Sequence, residues 1–166
     1  MLQGFPPVVQ KNTQTIILGS MPGKDSLTAK QYYAHSRNAF WPIMGKMFGA
    51  SPDLSYEKRL NVLLSNGVGI WDVIKSCRRK SSLDAHIEET TIVVNDFAHL
   101  MKQCSHLRLI CFNGAKSEQT FNRYVDGDLI PTSITRIRLP STSPANARMN
   151  FQQKLEIWRE ALSNSF

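Results

Sequence analysis

Apolar residues along the chain form short continuous runs that alternate with longer segments of helical periodicity. Four runs are typical of β-strands: TIILG (15–19), VGIWDV (68–73), LRLICFN (107–113) and ITRIRLP (134–140). The first three lack a clean alternation of apolar and polar residues, as central strands of a parallel sheet buried on both faces do. The fourth carries Arg136 and Arg138 between apolar residues, which predicts a strand nearer an edge of the sheet.

The segments between and after these runs have the spacing of amphipathic helices. The predicted helices cover residues 39–49, 55–67, 95–104, 114–124 and 150–162. Asn38 is a candidate N-cap of the first helix, and Gly67 is a candidate end of the second. The last helix places a set of large apolar residues on one face, which predicts that this face packs into the core: Phe151, Leu155, Trp158 and Leu162.

Strands that alternate with helices predict right-handed crossovers and a parallel sheet covered on both faces. The expected fold class is therefore α/β, a three-layer sandwich around these strands. With 166 residues, no internal repeat and no linker, we expect a single domain over residues 1–166. Ligands bind beyond the carboxyl ends of such strands, which directs attention to loops 19–38, 72–84, 113–116 and 140–149.

The chain carries a formal net charge of +7, and this excess favours a polyanionic partner such as nucleic acid. Basic residues cluster at Lys75, Arg78, Arg79 and Lys80, and again at Arg136, Arg138 and Arg148. A solvated basic surface without a partner is the alternative. The sequence has no apolar run long enough for a membrane span and no signal-peptide pattern, so we expect no membrane association and an intracellular, nucleoid-associated location.

Cys77, Cys104 and Cys111 have no C-x-x-C spacing, which argues against zinc, iron–sulfur and disulfide sites. Cys104 and Cys111 are expected in or near the core. No histidine pair has metal-binding spacing, and the phosphate-binding patterns G-x-x-x-x-G-K-[ST] and G-x-G-x-x-G are absent. We therefore expect neither a metal nor a cofactor.

Two polar loops follow predicted strands. GSMPGKDS (19–26) places glycines around a proline, which gives a tight turn with amides exposed to a ligand. LPSTSPANAR (139–148) offers short hydroxyl and amide groups of the kind that contact phosphates. An ordinary connecting loop is the alternative for each of them.

A third segment, QYYAHSRNAFW (31–41), is too polar for a core segment and too rich in aromatic rings for a solvated loop. Taken in order, GSMPG, YYAHSRNAFW and LPSTSPAN resemble the uracil-DNA glycosylase superfamily. The resemblance covers about residues 13–160 and is nearest to its hypoxanthine-DNA (deoxyinosine) glycosylase family, close to the mismatch-specific uracil glycosylases.

This resemblance implies a central four-stranded parallel sheet between helices. It also implies a monomeric, monofunctional hydrolase of N-glycosyl bonds that acts in base excision repair. Its partner would be double-stranded DNA containing a deaminated base, with hypoxanthine preferred and uracil or xanthine as further substrates. The base would be flipped out of the duplex before cleavage.

The resemblance also implies roles for individual residues. Asn38, within the H-x-R-N-x-F-W segment, would hold the attacking water, with Ser20 as a second catalytic residue. Tyr33 would stack on the flipped base, and Asp72 would read its edge. The full base-binding set is Met21, Pro22, Gly23, Tyr33, Asp72 and Asn113, and the DNA-binding set is Ser141, Thr142, Ser143, Pro144, Asn146, Arg148, Arg78 and Arg79.

Other aromatic and basic members of the 31–41 segment, His35, Arg37, Phe40 and Trp41, are expected to buttress the pocket. Two positions depart from the family pattern. Met21 stands where the mismatch-specific branch has a catalytic asparagine, and Leu139 begins a motif that often starts with histidine or asparagine. These departures favour an alternative, a catalytically silent nucleic-acid-binding module. A small-molecule nucleoside hydrolase is a third hypothesis, but the sequence lacks the acidic cluster that would hold its metal.

Overall fold

The computed structural model describes residues 1–163 of the chain. Its strands are β1 (Leu2–Gln3), β2 (Thr15–Gly19), β3 (Val68–Asp72), β4 (Ile74–Cys77), β5 (Val93–Val94), β6 (Leu109–Asn113) and β7 (Thr135–Leu139). Its helices are α1 (Lys24–Ala29), α2 (Phe40–Phe48), α3 (Tyr56–Ser65), α4 (Phe97–Gln103), α5 (Ala115–Tyr124) and α6 (Phe151–Ser163). Short 3-10 turns cover Asp84–His86, Glu89–Thr91 and Gly127–Leu129.

Four strands form a parallel sheet in the order β3-β2-β6-β7, which confirms the predicted α/β class. The edge position predicted for the fourth strand is also confirmed. The central position predicted for β3 is wrong, because β3 ends the sheet on the other side. It is nevertheless buried along its whole length, since Val8 exchanges two backbone hydrogen bonds with Ile70 on the outer edge, at 2.9 and 3.0 Å.

The five predicted helices are present, with ends shifted by at most two residues. Ser55 and Asp96 cap α3 and α4 by accepting from the N–H groups of Lys58 and His99. Trp158 of α6 and Phe40 of α2 are fully buried in the main core. Cys104 and Cys111 are buried there too, which confirms their expected placement.

A second, three-stranded antiparallel sheet in the order β1-β4-β5 was not predicted. Its strands have only two to four residues, too few for an apolar periodicity to show. It encloses a small apolar cluster that contains Met21, Ile74, Cys77 and Ile87. Among residues 1–163, no helix is long and apolar enough to cross a membrane.

Candidate active site

A pocket of about 670 Å³ opens at the carboxyl ends of the parallel strands. Register aligns Gly19 of β2 with Asp72 of β3, and Asn113 of β6 with Leu139 of β7, so that the loops after all four strands meet at one edge. The lining combines both predicted polar loops with the 31–41 segment. Predicted residues that line it are Ser20, Met21, Pro22, Gly23, Tyr33, Asn38, Asp72, Asn113, Ser141, Thr142, Ser143, Pro144 and Asn146.

Asp72 lies in this pocket at the end of β3 and is only 4% exposed. Its Oδ2 atom has no hydrogen-bond partner among the described residues. Burial, reinforced by the nearby Asp84 carboxyl group and opposed by Arg79, raises the pKa of Asp72 to about 7. An unpaired buried carboxyl group that faces a cavity is an unfilled hydrogen-bonding position.

Gly19 makes room for this carboxyl group. A Cβ atom at position 19 would collide with Oδ1 of Asp72 and would lie 3.2 Å from the hydroxyl of Tyr33. Any larger residue would therefore displace the two side chains that form the floor of the pocket. The need for glycine here comes from close approach, since the backbone of Gly19 does not have a positive φ.

Tyr33 is held in a strained conformation with its ring fixed. Its φ of 56° is unusual for a residue with a Cβ atom. One ring face stacks on Phe40, with centroids 3.9 Å apart and planes at 22°. The hydroxyl lies beside Asn113 and Asp72 and is buried without a hydrogen-bond partner among residues 1–163. Its pKa is well above the ordinary value, chiefly because of that burial.

Two hydrogen bonds to side chains hold the loop after β2 in place. The Ser20 hydroxyl donates to Oδ1 of Asp84 at 2.6 Å, and the carbonyl of Pro22 accepts from Nη2 of Arg79 at 2.6 Å. Met21 is 6% exposed and packs with the apolar cluster of the small sheet. Its contribution to the pocket is therefore chiefly its backbone. Within residues 1–163, the N–H groups of Met21 and Gly23 donate to no other protein atom.

Asn38 is half-buried at the pocket wall, immediately before α2. Its Oδ1 atom accepts a hydrogen bond from the N–H of Phe40 at 3.0 Å. The N-cap predicted at Asn38 is wrong, because Ala39 occupies that position; Asn38 lies one residue earlier and bonds to the first N–H group of the helix. One oxygen lone pair and the amide hydrogens of Asn38 remain available to a water molecule or a base.

Asn113 and Thr142 bind each other. The side-chain amide of Asn113 donates to Oγ1 of Thr142, and its oxygen accepts from the Thr142 N–H, both at 2.9 Å. The carbonyl of Thr142 also accepts from the N–H of Ala39 at 2.9 Å, and Thr142 is 1% exposed. The DNA contact expected of Thr142 is therefore wrong, because its buried side chain joins the loop to the sheet. Asn113 uses one donor and one acceptor in the same pair of hydrogen bonds.

The rest of the 141–146 loop is also internally bonded. Asn146 Nδ2 donates to the Ser141 carbonyl at 3.1 Å, and the Asn146 N–H donates to the Ser143 carbonyl at 3.0 Å. Helix α6 supports the loop from behind, where Lys154 Nζ donates to the Ser143 carbonyl at 3.3 Å. Ser143, Pro144 and Asn146 keep partly exposed surfaces beside the pocket.

The structure separates the arginines of the predicted DNA-binding set. Arg79 is 9% exposed and points inward to Pro22, so the phosphate contact expected of it is wrong. Arg78 and Arg148 are exposed, although neither lines the pocket. Arg37, expected to buttress the pocket, is instead exposed at its wall.

The segment Ser82–Ala85 forms one side of the pocket; it lies at the end of the predicted loop 72–84, but sequence reasoning singled out none of its residues. Ser82 Oγ accepts from the N–H of Lys24 at 2.9 Å, and Asp84 binds Ser20. Although Asp84 is exposed as a residue, desolvation of its carboxyl group raises the pKa of Asp84, and the Ser20 hydrogen bond offsets part of that rise. The only signal in the sequence was the position of this segment, at the end of a loop that follows a parallel strand.

Known proteins resemble this chain along nearly its whole length. The model of the uracil DNA glycosylase superfamily matches residues 6–162. A relative from Methanosarcina acetivorans named hypoxanthine DNA glycosylase is 39% identical over 155 residues, which are 93% of this chain and 94% of the relative. A protein of the same name from Methanosarcina barkeri is 41% identical over 116 residues, 69% of this chain and 72% of that protein.

The solution NMR structure of a proposed uracil DNA glycosylase from Methanosarcina acetivorans superposes with a TM-score of 0.76. It is 36% identical in sequence, and the match covers 95% of this chain and 96% of that one. Sequence, fold and the position of the pocket agree: the chain belongs to the uracil DNA glycosylase superfamily.

Proposed function

We infer that the protein is a DNA glycosylase, and we propose that it hydrolyses the N-glycosidic bond of a flipped hypoxanthine base in double-stranded DNA. Two relatives named hypoxanthine DNA glycosylase support this substrate. The observation within this chain that carries the proposal is the unpaired carboxyl group of Asp72 in the pocket, next to the hydroxyl of Tyr33.

Asp72 is suited to the edge of hypoxanthine that distinguishes it from adenine. When ionised, the carboxylate only accepts hydrogen bonds, and N1 of hypoxanthine carries a hydrogen. N1 of adenine carries a lone pair, which an ionised carboxylate repels. A protonated Asp72 can donate to that lone pair, so discrimination against adenine belongs to the ionised form. Because uracil also has an N–H on this edge, the same group is compatible with uracil.

Tyr33 supplies the ring that holds the flipped base. Phe40 stacks against one face of Tyr33 and fixes its orientation, so that the ring can receive a base with little loss of freedom. Stacking of a base on an aromatic side chain is worth roughly 1–3 kcal/mol and tolerates different ring systems. This residue therefore retains the base, while the choice among bases falls to Asp72.

Cleavage of the glycosidic bond develops positive charge on the sugar and negative charge on the departing base. The unengaged N–H groups of Met21 and Gly23 are placed to stabilise the base. Asn38, through its remaining lone pair or amide hydrogens, holds the attacking water. Ser20 is bound by Asp84, which keeps this side of the pocket in one arrangement.

The test uses end-labelled duplexes that contain deoxyinosine, deoxyuridine, deoxyxanthosine or only normal bases. We expect abasic sites, revealed by alkali, to form fastest with deoxyinosine, and free hypoxanthine to appear in equal amount by chromatography. A monofunctional enzyme leaves the strand intact before alkali and is not trapped on DNA by borohydride. Binding without release of any base would instead establish the silent module, in keeping with Met21 and Leu139.

A further inference from the structure

Leu83 is a large apolar side chain left exposed at the side of the pocket. It is 44% exposed and lines the cavity between Ser82 and Asp84. Both neighbours are bound to the segment that follows β2, Ser82 to Lys24 and Asp84 to Ser20. An apolar residue held in water by two anchored neighbours has no role in the core of this protein.

The backbone around Leu83 is fixed by further hydrogen bonds. Its N–H donates to Ser81 Oγ at 3.0 Å, and its carbonyl accepts from the N–H of His86 at 3.0 Å. Ser81 Oγ also pairs with Nδ1 of His86 at 2.6 Å. Leu83 is thus presented on a closed, internally bonded turn, and little order has to be gained when it contacts a partner.

The other side of the pocket offers no comparable apolar group. The 141–146 loop contributes Ser143, Pro144, Ala145 and Asn146 to the lining, all small or polar apart from the proline ring. Proteins that distort a duplex commonly insert an apolar side chain between base steps, which unstacks them. Leu83 is therefore better suited to this task than any described residue of the 141–146 loop.

Building on the proposed function, we propose that Leu83 is the wedge that enters the DNA stack beside the target nucleotide and stabilises its extruded state. It acts on the duplex and has no part in breaking the glycosidic bond. The 141–146 loop then contacts the backbone on the opposite side. Extruding a base from a paired duplex costs free energy that a single strand does not require, so the contribution of Leu83 depends on the state of the DNA.

The experiment compares Leu83→Ala with Leu129→Ala, which truncates a leucine of similar exposure, 41%, outside the pocket lining. Single-turnover cleavage is measured on deoxyinosine in a fully paired duplex and in a single strand. We expect Leu83→Ala to slow duplex cleavage by about tenfold or more and single-strand cleavage by less than about twofold. Leu83→Met should restore the duplex rate, and Leu83→Asn, of similar size but polar, should not.

Equal rates for Leu83→Ala and Leu129→Ala on the duplex would overturn the proposal. An equal loss on duplex and single strand would also overturn it, because a general defect of the pocket produces that pattern. A second readout does not require cleavage: 2-aminopurine placed beside an abasic-site analogue should brighten on binding the wild-type protein and not Leu83→Ala. Absence of base release by the wild-type protein would count against the proposed function, while this fluorescence would still decide the role of Leu83.

Discussion

The floor and the rim of the pocket are built in different ways. At the floor, Gly19 and Asp72 end neighbouring parallel strands, and Tyr33 packs against them from the 31–41 segment. At the rim, the turn at 81–86 and the loop at 141–146 are partly exposed and are held by side-chain hydrogen bonds. The floor is therefore positioned by the sheet, and the rim is positioned by local contacts.

Under the proposed function, we expect the two regions to meet different parts of the substrate. The floor is buried and carries polar atoms without a partner among the described residues, so we expect it to bind the flipped nucleobase, for which these atoms provide specific partners. The rim carries hydroxyl groups, an exposed leucine and flanking arginines, so we expect it to contact the stacked and phosphate-rich duplex. Substitutions at the floor should therefore affect cleavage of every substrate. The effects of substitutions at the rim should depend on DNA structure and on salt.

The largest effect is expected for Gly19→Ala. The new Cβ atom would displace the Asp72 carboxyl group and crowd the Tyr33 hydroxyl. We expect single-turnover cleavage to fall by at least about 10²–10³-fold on duplex and single strand alike, the loss typical of a misplaced polar catalytic group. Gly127→Ala is the matched control, since a Cβ atom there meets nothing within 4 Å. Comparable activity of the two variants would show that the geometry of the pocket floor is not required for cleavage.

Asn38→Ala should also lower cleavage by about 10²–10³-fold, with little change in DNA affinity. Loss of the hydrogen bond from Phe40 to Asn38 should cost about 1 kcal/mol of stability, measurable by urea unfolding. Asn38→Asp keeps an oxygen for that bond and serves as the control for capping. If Asn38→Ala cleaves at nearly the wild-type rate, Asn38 does not hold the attacking water.

Tyr33→Ala should weaken the productive complex by roughly 1–3 kcal/mol, measured as the rise in the enzyme concentration that half-saturates the single-turnover rate. Tyr33→Phe should be mild, because the hydroxyl has no hydrogen-bond partner among the described residues and the stacking face is kept. A phenylalanine variant as impaired as the alanine variant would assign the work to the hydroxyl and reject the stacking role.

The smallest effect is expected from arginines near the rim. Affinity for an abasic-site duplex should fall with salt, at a slope near −0.9 per phosphate contact. Arg148→Ala should reduce that slope by about one contact, because Arg148 is exposed. Arg79→Ala should leave the slope unchanged and instead lower stability, because its guanidinium is buried against Pro22. An unaltered slope for Arg148→Ala would place the DNA on another face.

The parallel sheet could be predicted because three of its strands are continuous apolar runs and the fourth alternates apolar with basic residues. The pocket could be placed because ligand sites follow the carboxyl ends of such strands. The 31–41 segment could be recognised by composition alone. Within it, Tyr33 and Asn38 could be singled out only through the resemblance to the glycosylase family. Their assignment to a flipped base and a water molecule stays a prediction.

Other features depend on contacts between residues distant in sequence. The inward direction of Arg79 and the pairing of Asn113 with Thr142 follow from how loops cross, and nothing in the local pattern distinguishes them from exposed groups. The 81–86 turn has no periodicity, so although loop 72–84 was expected near the site, the residues of this turn that line the pocket could not be inferred. The two-residue strands β1 and β5 of the small sheet could not be predicted because they are too short to show a periodicity.

The pKa of Asp72 also has a consequence for stability. Burial raises it to about 7, so the folded state holds a proton that the unfolded chain, with an ordinary value of about 3.9, has lost. Stability present at low pH is therefore lost as the pH rises from about 4 to about 7, by at most about 4 kcal/mol. Urea unfolding of Asp72→Asn should lack this decline, and an equal decline in both proteins would place the proton on another group.

The central claim, that the Asp72 carboxylate reads N1–H of hypoxanthine, is tested most directly by the pH dependence of cleavage. Single-turnover rates on a deoxyinosine duplex are measured for the wild-type protein and Asp72→Asn between about pH 5.5 and about pH 8. The wild-type rate should rise through about pH 7 as Asp72 ionises, because a charged acceptor binds N1–H more strongly. The asparagine variant should remain active and show no such rise. The same rise in both proteins would contradict the account.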